Sequence, residues 1–279
     1  YAAGSECFIP PIEGKDKPEV IAIRRLSDIQ KIEELLPNVK NVVVIGGGVL
    51  GLEAAWEMKK AQCRVTVLEA GIQLMGRQLD DAASDMLKMI SEANDIHTGA
   101  QIVSIEGGDH VTGVKLKDGE VIPAELVIVS AGVRANTAIA KEAGLEVDRA
   151  VVVNSRMETS VKDIYACGDC AQYQGMNYAI WPQTAGANAA GDSAEYEQVP
   201  AALTFHGMNT ALFASGDNGK RAGVSYKTVE MKDPSKKQYE KLYFFNNRLC
   251  GVILIGDLSR MAELSQALEK KASFQEVVK

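Results

Sequence analysis

An α/β fold built around more than one core is predicted by three features of this 279-residue chain. A β-branched run from Asn41 to Ile45 stops abruptly at three glycines, residues 46–48. A stretch of good helix formers follows, and Cys63 to Glu69 returns to strand composition. That order is a β-α-β unit, and its parallel strands read as continuous apolar runs because helices cover both faces of such a sheet. The apolar share, 46%, is enough at this length for two cores.

The remaining elements follow from spacing. After Asp80, the residues Ala83, Met86, Leu87 and Ile90 recur at helical intervals, with Asp80 and Asp81 suited to the positive end of that helix. From Gln101 the pattern changes to strands, and Asp118-Gly119 predicts a type I′ hairpin turn. Leu126 to Ser130 reads as a further core strand, and a helix is expected near Asn136 to Ala143. Residues 151–195 differ in character: a strand is expected at Asp163 to Asp169, then a loop, then a small-residue helix from Gln183. The tail from about Pro200 reads as a separate α+β unit. It has strands at Ala222–Met231, Tyr239–Phe245 and Arg248–Gly256, a turn at Asn246-Asn247, and a helix presenting Met261, Leu264 and Leu268 on one face. The expected segments are therefore 1–35, 36–148, 149–198 and 199–279.

Composition excludes several classes. The formal charge is −7 and no basic stripe tracks a phosphodiester backbone, so no nucleic-acid partner is expected. No apolar run reaches the roughly eighteen residues a bilayer span requires. Tyr1 to Pro11 carries neither a basic flank nor a leader-like stretch, and the five cysteines are scattered and odd in number. Together these predict reduced thiols in a cytoplasmic protein without membrane attachment.

The chemistry centres on Gly46, Gly48 and Gly51, a G-x-G-x-x-G pattern between the predicted strand and helix. The first glycine permits a tight turn, the second a close approach of a pyrophosphate, and the third contact between helix and sheet. The helix start at Val49 and Leu50 offers backbone N–H groups to phosphate oxygens. A glycine-rich turn alone is weak evidence, since such turns also serve packing. Glu69, at the end of the second strand, raises it. A carboxylate there accepts bonds from an adenosine ribose diol and repels a 2′-phosphate, which predicts NAD(H) rather than its phosphorylated form. Arg77, a few residues on, could reach such a phosphate; its bland alternative is a solvated surface charge.

Four blocks in order resemble the pyridine nucleotide–disulfide oxidoreductase family. Within it, the chain is most similar to the NADH:rubredoxin reductase branch, which resembles NADH oxidases and the flavin module of nitrite reductases. The blocks are Tyr1 to Ser5, the fingerprint at residues 42–53, Leu126 to Asn136, and Asp163 to Ala171. The resemblance implies a Rossmann-like nucleotide domain, part of an FAD domain, and a C-terminal α+β interface domain. It implies that Ala3 and Gly4 lie at the crossover between domains and that Gly132 passes beneath the nicotinamide. It also implies that Asp169 bonds a ribityl or phosphate-linked oxygen of FAD, with Gly168 allowing close approach. The helix from Gln183 would point its N-terminus at the isoalloxazine, where negative charge develops on reduction. Glu53 would face the nicotinamide, its alternative being a carboxylate favoured by the helix dipole.

Two departures stand out. The first FAD fingerprint that family members carry ahead of this point is missing, so the chain is expected to be one piece of a longer polypeptide. Alone it is expected to bind FAD poorly and to be inactive. The stretch Glu92 to Ala100 is also tighter than the family pattern. Cys167 and Cys170 are spaced C-x-x-C, but they straddle Gly168-Asp169 in a strand-to-loop segment, and neither a redox pair nor a metal site is expected there. His97, His110 and His206 read as isolated residues. Tyr173, Tyr178 and Trp181 read as packing residues, with a flavin-sheltering role as the alternative. Arg24 and Arg25 lie, by resemblance, near the FAD phosphates.

The implied activity is hydride transfer from NADH to FAD, with electrons passed on to a small redox protein such as rubredoxin. The protein's own part is orientation and exclusion of water, so no catalytic residue is assigned. Alternatives are an NADH oxidase, the flavin subunit of an NAD(P)H-nitrite reductase, or a reductase of CoA-disulfide or thiol type. An NADH-binding sensor and a dimerising fragment are the non-enzymatic readings. The interface-like C-terminal unit leaves a homodimer open.

Overall fold

The structure is a computed structural model, and it describes residues 1–91, 95–176, 182–197 and 201–278. Contacts divide the chain into two units. Ile9–Ala131 packs with Pro200–Lys279, and Tyr1–Phe8 packs with Gly132–Val199.

In chain order the first elements are β1 (Ser5–Cys7), β2 (Val20–Ala22), α1 (Leu26–Leu35), β3 (Asn41–Ile45), α2 (Val49–Lys60) and β4 (Arg64–Glu69). Next come α3 (Asp81–Ile90), β5 (Asp95–Thr98), β6 (Ile102–Glu106), β7 (Gly113–Leu116), β8 (Val121–Pro123) and β9 (Leu126–Val129). The larger unit is organised on a five-stranded parallel sheet in the order β2-β9-β3-β4-β5. The central strands β3 and β9 are apolar and buried nearly throughout, as strands covered on both faces must be. On one side lie α2, with Leu52, Ala55 and Met58 buried, and α3, with Ala83, Met86, Leu87 and Ile90 buried as their spacing predicted. A three-stranded antiparallel sheet, β6-β7-β8, belongs to a second cluster with the other face, through Val43, Ile45, Leu68, Val114 and Ile122.

The β7–β8 turn corrects one expectation. Of Asp118-Gly119 only the glycine has a positive φ, 95°, and Gly119 N–H bonds the Leu116 carbonyl. This is a three-residue turn closing on a left-handed glycine, not type I′, which needs positive φ at both central residues.

The next elements are β10 (Val133–Ala135), α4 (Ala138–Glu142), β11 (Val151–Val152), β12 (Ala171–Gln172) and α5 (Gln183–Ala189). They belong to the smaller unit, where β1 pairs antiparallel with β10 and β11 pairs parallel with β12. Its core gathers Ala140, Leu145, Val151, Val153, Met157, Ala166, Ala171 and Ala185. No strand forms at Asp163 to Asp169. Left-handed φ values at Asp163 (64°) and Gly168 (74°) interrupt the segment, and residues 168–170 make a single 3-10 turn.

The C-terminal elements are β13 (Ala202–Gly207), β14 (Thr210–Gly216), β15 (Lys227–Asp233), β16 (Gln238–Phe245), β17 (Arg248–Ile255), α6 (Met261–Glu269) and α7 (Phe274–Val277). They form an antiparallel sheet in the order β13-β14-β17-β16-β15, with Leu264 and Leu268 of α6 buried against one face. The β13–β14 hairpin is absent from the sequence expectation. Its turn is Met208-Asn209, both at positive φ, and methionine carries no turn signal. Asn246-Asn247, also left-handed at both residues, makes the expected turn between β16 and β17.

The expected segment limits at 35 and 148 are not where contacts divide the chain. Strand β2 enters the parallel sheet beside β9, and Ile32 of α1 is buried in its core. Gly132 onward turns instead to pair with β1. The C-terminal segment forms an α+β sheet of its own, as expected, and one face of it also packs on this unit. Phe205, Leu212, Tyr239, Tyr243 and Ile255 share one apolar cluster with Leu52, Met58, Leu74, Leu79 and Met86.

A buried polar knot accompanies that cluster. Asp80 caps α3 through Oδ1, which accepts the Ala83 N–H at 2.8 Å. Its carboxylate also accepts the Tyr243 hydroxyl at 2.5 Å, the Tyr239 hydroxyl at 3.1 Å and the Lys241 ammonium at 2.9 Å, while Lys241 bonds Glu230 at 2.8 Å. Burial alone would raise the Asp80 carboxyl, but Lys241, Tyr243 and the Ala83 amide outweigh it and hold it below its ordinary value. A depressed carboxyl contributes stability above the unfolded-state value and loses it as pH falls through the folded one. We therefore expect Asp80→Ala to cost about 3–5 kcal/mol near neutral pH, and the cost to shrink on acidification through the carboxylate range. Urea midpoints of parent and variant over a pH series check this; a constant difference would rule out the charged role of Asp80.

Candidate functional site

The C-terminal ends of β3, β4 and β9 bring Gly46, Glu69 and Ser130 to one edge of the parallel sheet, where α/β proteins hold ligands. Gly46 has φ 117°, and a Cβ there would stand 2.3 Å from the Ser130 carbonyl oxygen. A Cβ on Gly51 would stand 2.0 Å from the Gly46 carbonyl oxygen, so the first turn of α2 lies directly on the strand end. Gly48 is different. It is the N-cap of α2, and a Cβ there would meet no protein atom within 4 Å. Packing requires the outer two glycines, and no protein atom requires the middle one. No side chain caps α2; Val49 and Leu50 begin it, with Leu50 66% exposed. Amides of a helix's first turn have no carbonyl behind them within the helix.

Glu69 turns toward this loop. Its Oε2 accepts the Gly47 N–H and its Oε1 the Gly71 N–H, both at 2.6 Å. Each carboxylate oxygen keeps capacity for a further donor, so the group can brace the turn and still receive a diol. Gly47 is a residue that sequence reasoning missed: a Cβ there would meet Leu74 Cδ2 at 2.7 Å and Glu69 Cβ at 2.9 Å. The third glycine in the run was the available signal. Arg77 is exposed, in the segment leading to α3, and its carbonyl accepts a bond from Asn218 at 3.2 Å.

Glu53, half-buried on α2, has its carboxyl pushed up, first by burial and then by Glu57, against the opposing influence of His206 on β13. His206 thus lies within electrostatic reach of Glu53, a pairing no sequence spacing announced. His110 and His97 are not isolated either: His110 Nδ1 lies 2.6 Å from Oε1 of Glu19, and His97 Nε2 lies 2.9 Å from Oδ1 of Asp95.

In the smaller unit, three of the four sequence blocks converge. The Ser5 hydroxyl donates to Asp169 Oδ2 at 2.8 Å, and Cys167 N–H bonds the Tyr1 carbonyl at 3.1 Å. Asn136 donates through its amide to the Gly4 carbonyl and through its side chain to the Ala3 carbonyl, each at 2.9 Å. Gly4, Gly132 and Gly168 all have positive φ, and a Cβ on any of them would meet nothing within 4 Å. The polypeptide is thus bare of side chains at three places around Asp169's block and its partners. The roles of Ser5 and Asn136 depend on pairing across more than a hundred residues, which no local motif encodes. Cys170 is buried, with its Sγ 3.2 Å from the Cys167 carbonyl, and burial pushes the Cys167 thiol up. That is unlike an activated redox pair. The small-residue helix α5 forms as expected behind Pro182. Tyr178, Trp181 and residues 92–94 lie outside the described residues. Among the described residues no helix is long and apolar enough to cross a membrane.

Comparison with known proteins gives these features a context. Over 287 aligned residues covering all of this chain, it is 32% identical to a nitrite reductase [NAD(P)H] of Bacillus subtilis, of which it spans 35%. It is 39% identical over 173 residues to a rubredoxin-NAD(+) reductase of Pseudomonas putida, covering 61% of this chain and 45% of that protein. The crystal structure of a ferredoxin reductase from Rhodopseudomonas palustris superposes with a TM-score of 0.87 at 25% identity, covering 100% of this chain and 72% of that one. The chain thus spans about a third to a half of the curated relatives it matches. Residues 202–272 match the rubredoxin NAD+ reductase C-terminal domain. Residues 1–203 match the pyridine nucleotide-disulphide oxidoreductase description, and it is to this family that the chain belongs.

Proposed function

We propose that this chain carries the nicotinamide-nucleotide site of an NADH-dependent flavoprotein reductase. The single observation behind the reading is the glycine turn. Gly46, Gly47 and Gly51 are demanded by protein contacts, Gly48 faces open space, and a carboxylate stands on the same edge. A pyrophosphate would sit over Gly48 and the amides of Val49 and Leu50, and the adenosine ribose diol would bond Glu69. Negative charge on Glu69 opposes a 2′-phosphate, and Arg77 is the counter-influence that makes the preference finite. Glu53, its carboxyl raised by burial, is the residue assigned to the nicotinamide end.

In the smaller unit, Ala3, Gly4, Gly168 and Asp169 are assigned to FAD, and Gly132 to the stretch beneath the nicotinamide. Asp169 is an acceptor already oriented by Ser5, and the open glycines let an extended ligand approach the backbone; these residues suit a flavin's ribityl portion. Bound FAD would supply the two-electron acceptor for NADH and the one-electron donor to a small iron–sulfur protein of rubredoxin or ferredoxin type. The residues of this chain orient, desolvate and hold charge; none is assigned a proton transfer. A second reading, the flavin module of a nitrite reductase, is supported by the match over the whole of this chain to 35% of the Bacillus subtilis protein.

Three outcomes are expected. Gly48→Ala should leave thermal stability within about 0.5 kcal/mol of the parent while weakening NADH binding at least about tenfold in a fluorescence titration. Gly51→Ala should instead destabilise the fold by about 1–3 kcal/mol, because its Cβ overlaps the Gly46 carbonyl. Equal NADH affinity in parent and Gly48→Ala would count decisively against the site. For the longer protein carrying this chain, stopped-flow reoxidation of the reduced flavin should be faster with rubredoxin than with oxygen or nitrite. Faster reoxidation by nitrite would favour the second reading.

A further inference from the structure

The segment between Glu69 and α3 is held from behind by the C-terminal sheet. In the loop between β14 and β15, Asn218 Nδ2 donates to the carbonyls of Arg77 at 3.2 Å and Leu79 at 3.4 Å. Two residues on, Lys220 Nζ donates to the Gly76 carbonyl at 3.1 Å and to the side-chain oxygen of Gln73, and lies 4.0 Å from Asp81. The loop carrying these donors is itself fixed. Asp217 N–H bonds the Cys250 carbonyl at 2.8 Å, Asp217 pairs with Arg221 at 2.8 Å, and Gly219 packs on the ring of Tyr243.

On its other side the same segment closes on the nucleotide turn. Met75 N–H donates to the Gly47 carbonyl at 3.0 Å, and Gly71 N–H donates to Glu69. Met75 has φ 47°, a conformation a methionine keeps only where its surroundings over-determine it. Leu74, Met75 and Leu79 are fully buried, so the segment is anchored in the core at three points between Glu69 and α3. A chain of short contacts therefore runs from Asn218 and Lys220, through residues 73–79, to Gly47 and Glu69.

We propose that Asn218 and Lys220 are positioning residues for the nucleotide site. They fix the segment that holds the glycine turn and Glu69. In doing so they set the affinity for the adenosine half of NADH and its preference over the 2′-phosphorylated form. This rests on the dinucleotide reading given above.

The test is the combined variant Asn218→Ala with Lys220→Met, made in the full chain and titrated with NADH, NADPH and ADP-ribose well below its melting temperature. The expected result is a loss of about tenfold in affinity for NADH, corresponding to a few hydrogen bonds, with the same factor for ADP-ribose. The NADH-over-NADPH preference should shrink, and Lys220→Arg, which keeps a charged donor, should retain parental affinities. A merely structural role would lower the melting temperature and leave dissociation constants of the folded protein unchanged; that result overturns the proposal. So does a variant that binds all three ligands as the parent does. A parent that binds neither NADH nor ADP-ribose removes the dinucleotide reading itself, and this inference with it.

Discussion

Everything at the proposed nucleotide edge depends on how closely α2 lies on the end of β3. The Gly46 carbonyl stands where a Gly51 side chain would begin, and the Ser130 carbonyl stands where a Gly46 side chain would begin. With no Cβ at either position, the helix starts directly above the sheet. Its first amides then emerge at the same edge as Glu69. Any larger residue would lift the helix off the strand and carry its N-terminus away from the carboxylate. The helix dipole and the free amides are useful to an anion only because this contact puts them there.

The second organising feature is electrostatic and buried. Asp80 ends the segment behind Glu69 and begins α3, and it receives two tyrosine hydroxyls and an ammonium from β16. A carboxylate taken out of water is costly unless nearly every lone pair finds a donor, and here the donors come from both parts of the chain. The C-terminal sheet is thereby joined to the nucleotide-type sheet within one unit. The rubredoxin-reductase-type C-terminal segment is part of what shapes that unit and not an appendage to it.

The smaller unit is organised by pairings between remote parts of the chain. Residues 1–8 contribute a strand, two carbonyl acceptors for Asn136, and the serine that orients Asp169. Local propensity contributes little here: the strands are two or three residues long, and the segment before Asp169 is bent by left-handed residues. Its small apolar core is supplemented by polar groups of the three blocks that satisfy one another.

How much was legible in the sequence follows from the range of each interaction. The β-α-β unit, the α3 face, the glycine pattern and Glu69 could be read directly, because strand and helix periodicity and glycine chemistry act over a few residues. The β13–β14 hairpin could not, since its turn uses a left-handed methionine that only the surrounding sheet tolerates. The place of residues 9–35 was not legible for the same reason: β2 joins a sheet whose other strands lie from Asn41 onward, and nothing in those residues announces that pairing. Sequence alone determined the glycine turn, its acid and the family blocks. Tertiary structure decided which carbonyls meet those glycines, that Gly47 and Gly71 brace Glu69, that Asp80 is a shared buried anchor, and that Asn218 and Lys220 reach the segment behind the site. Those are long-range contacts, and their energies depend on burial and on partners that no local pattern encodes.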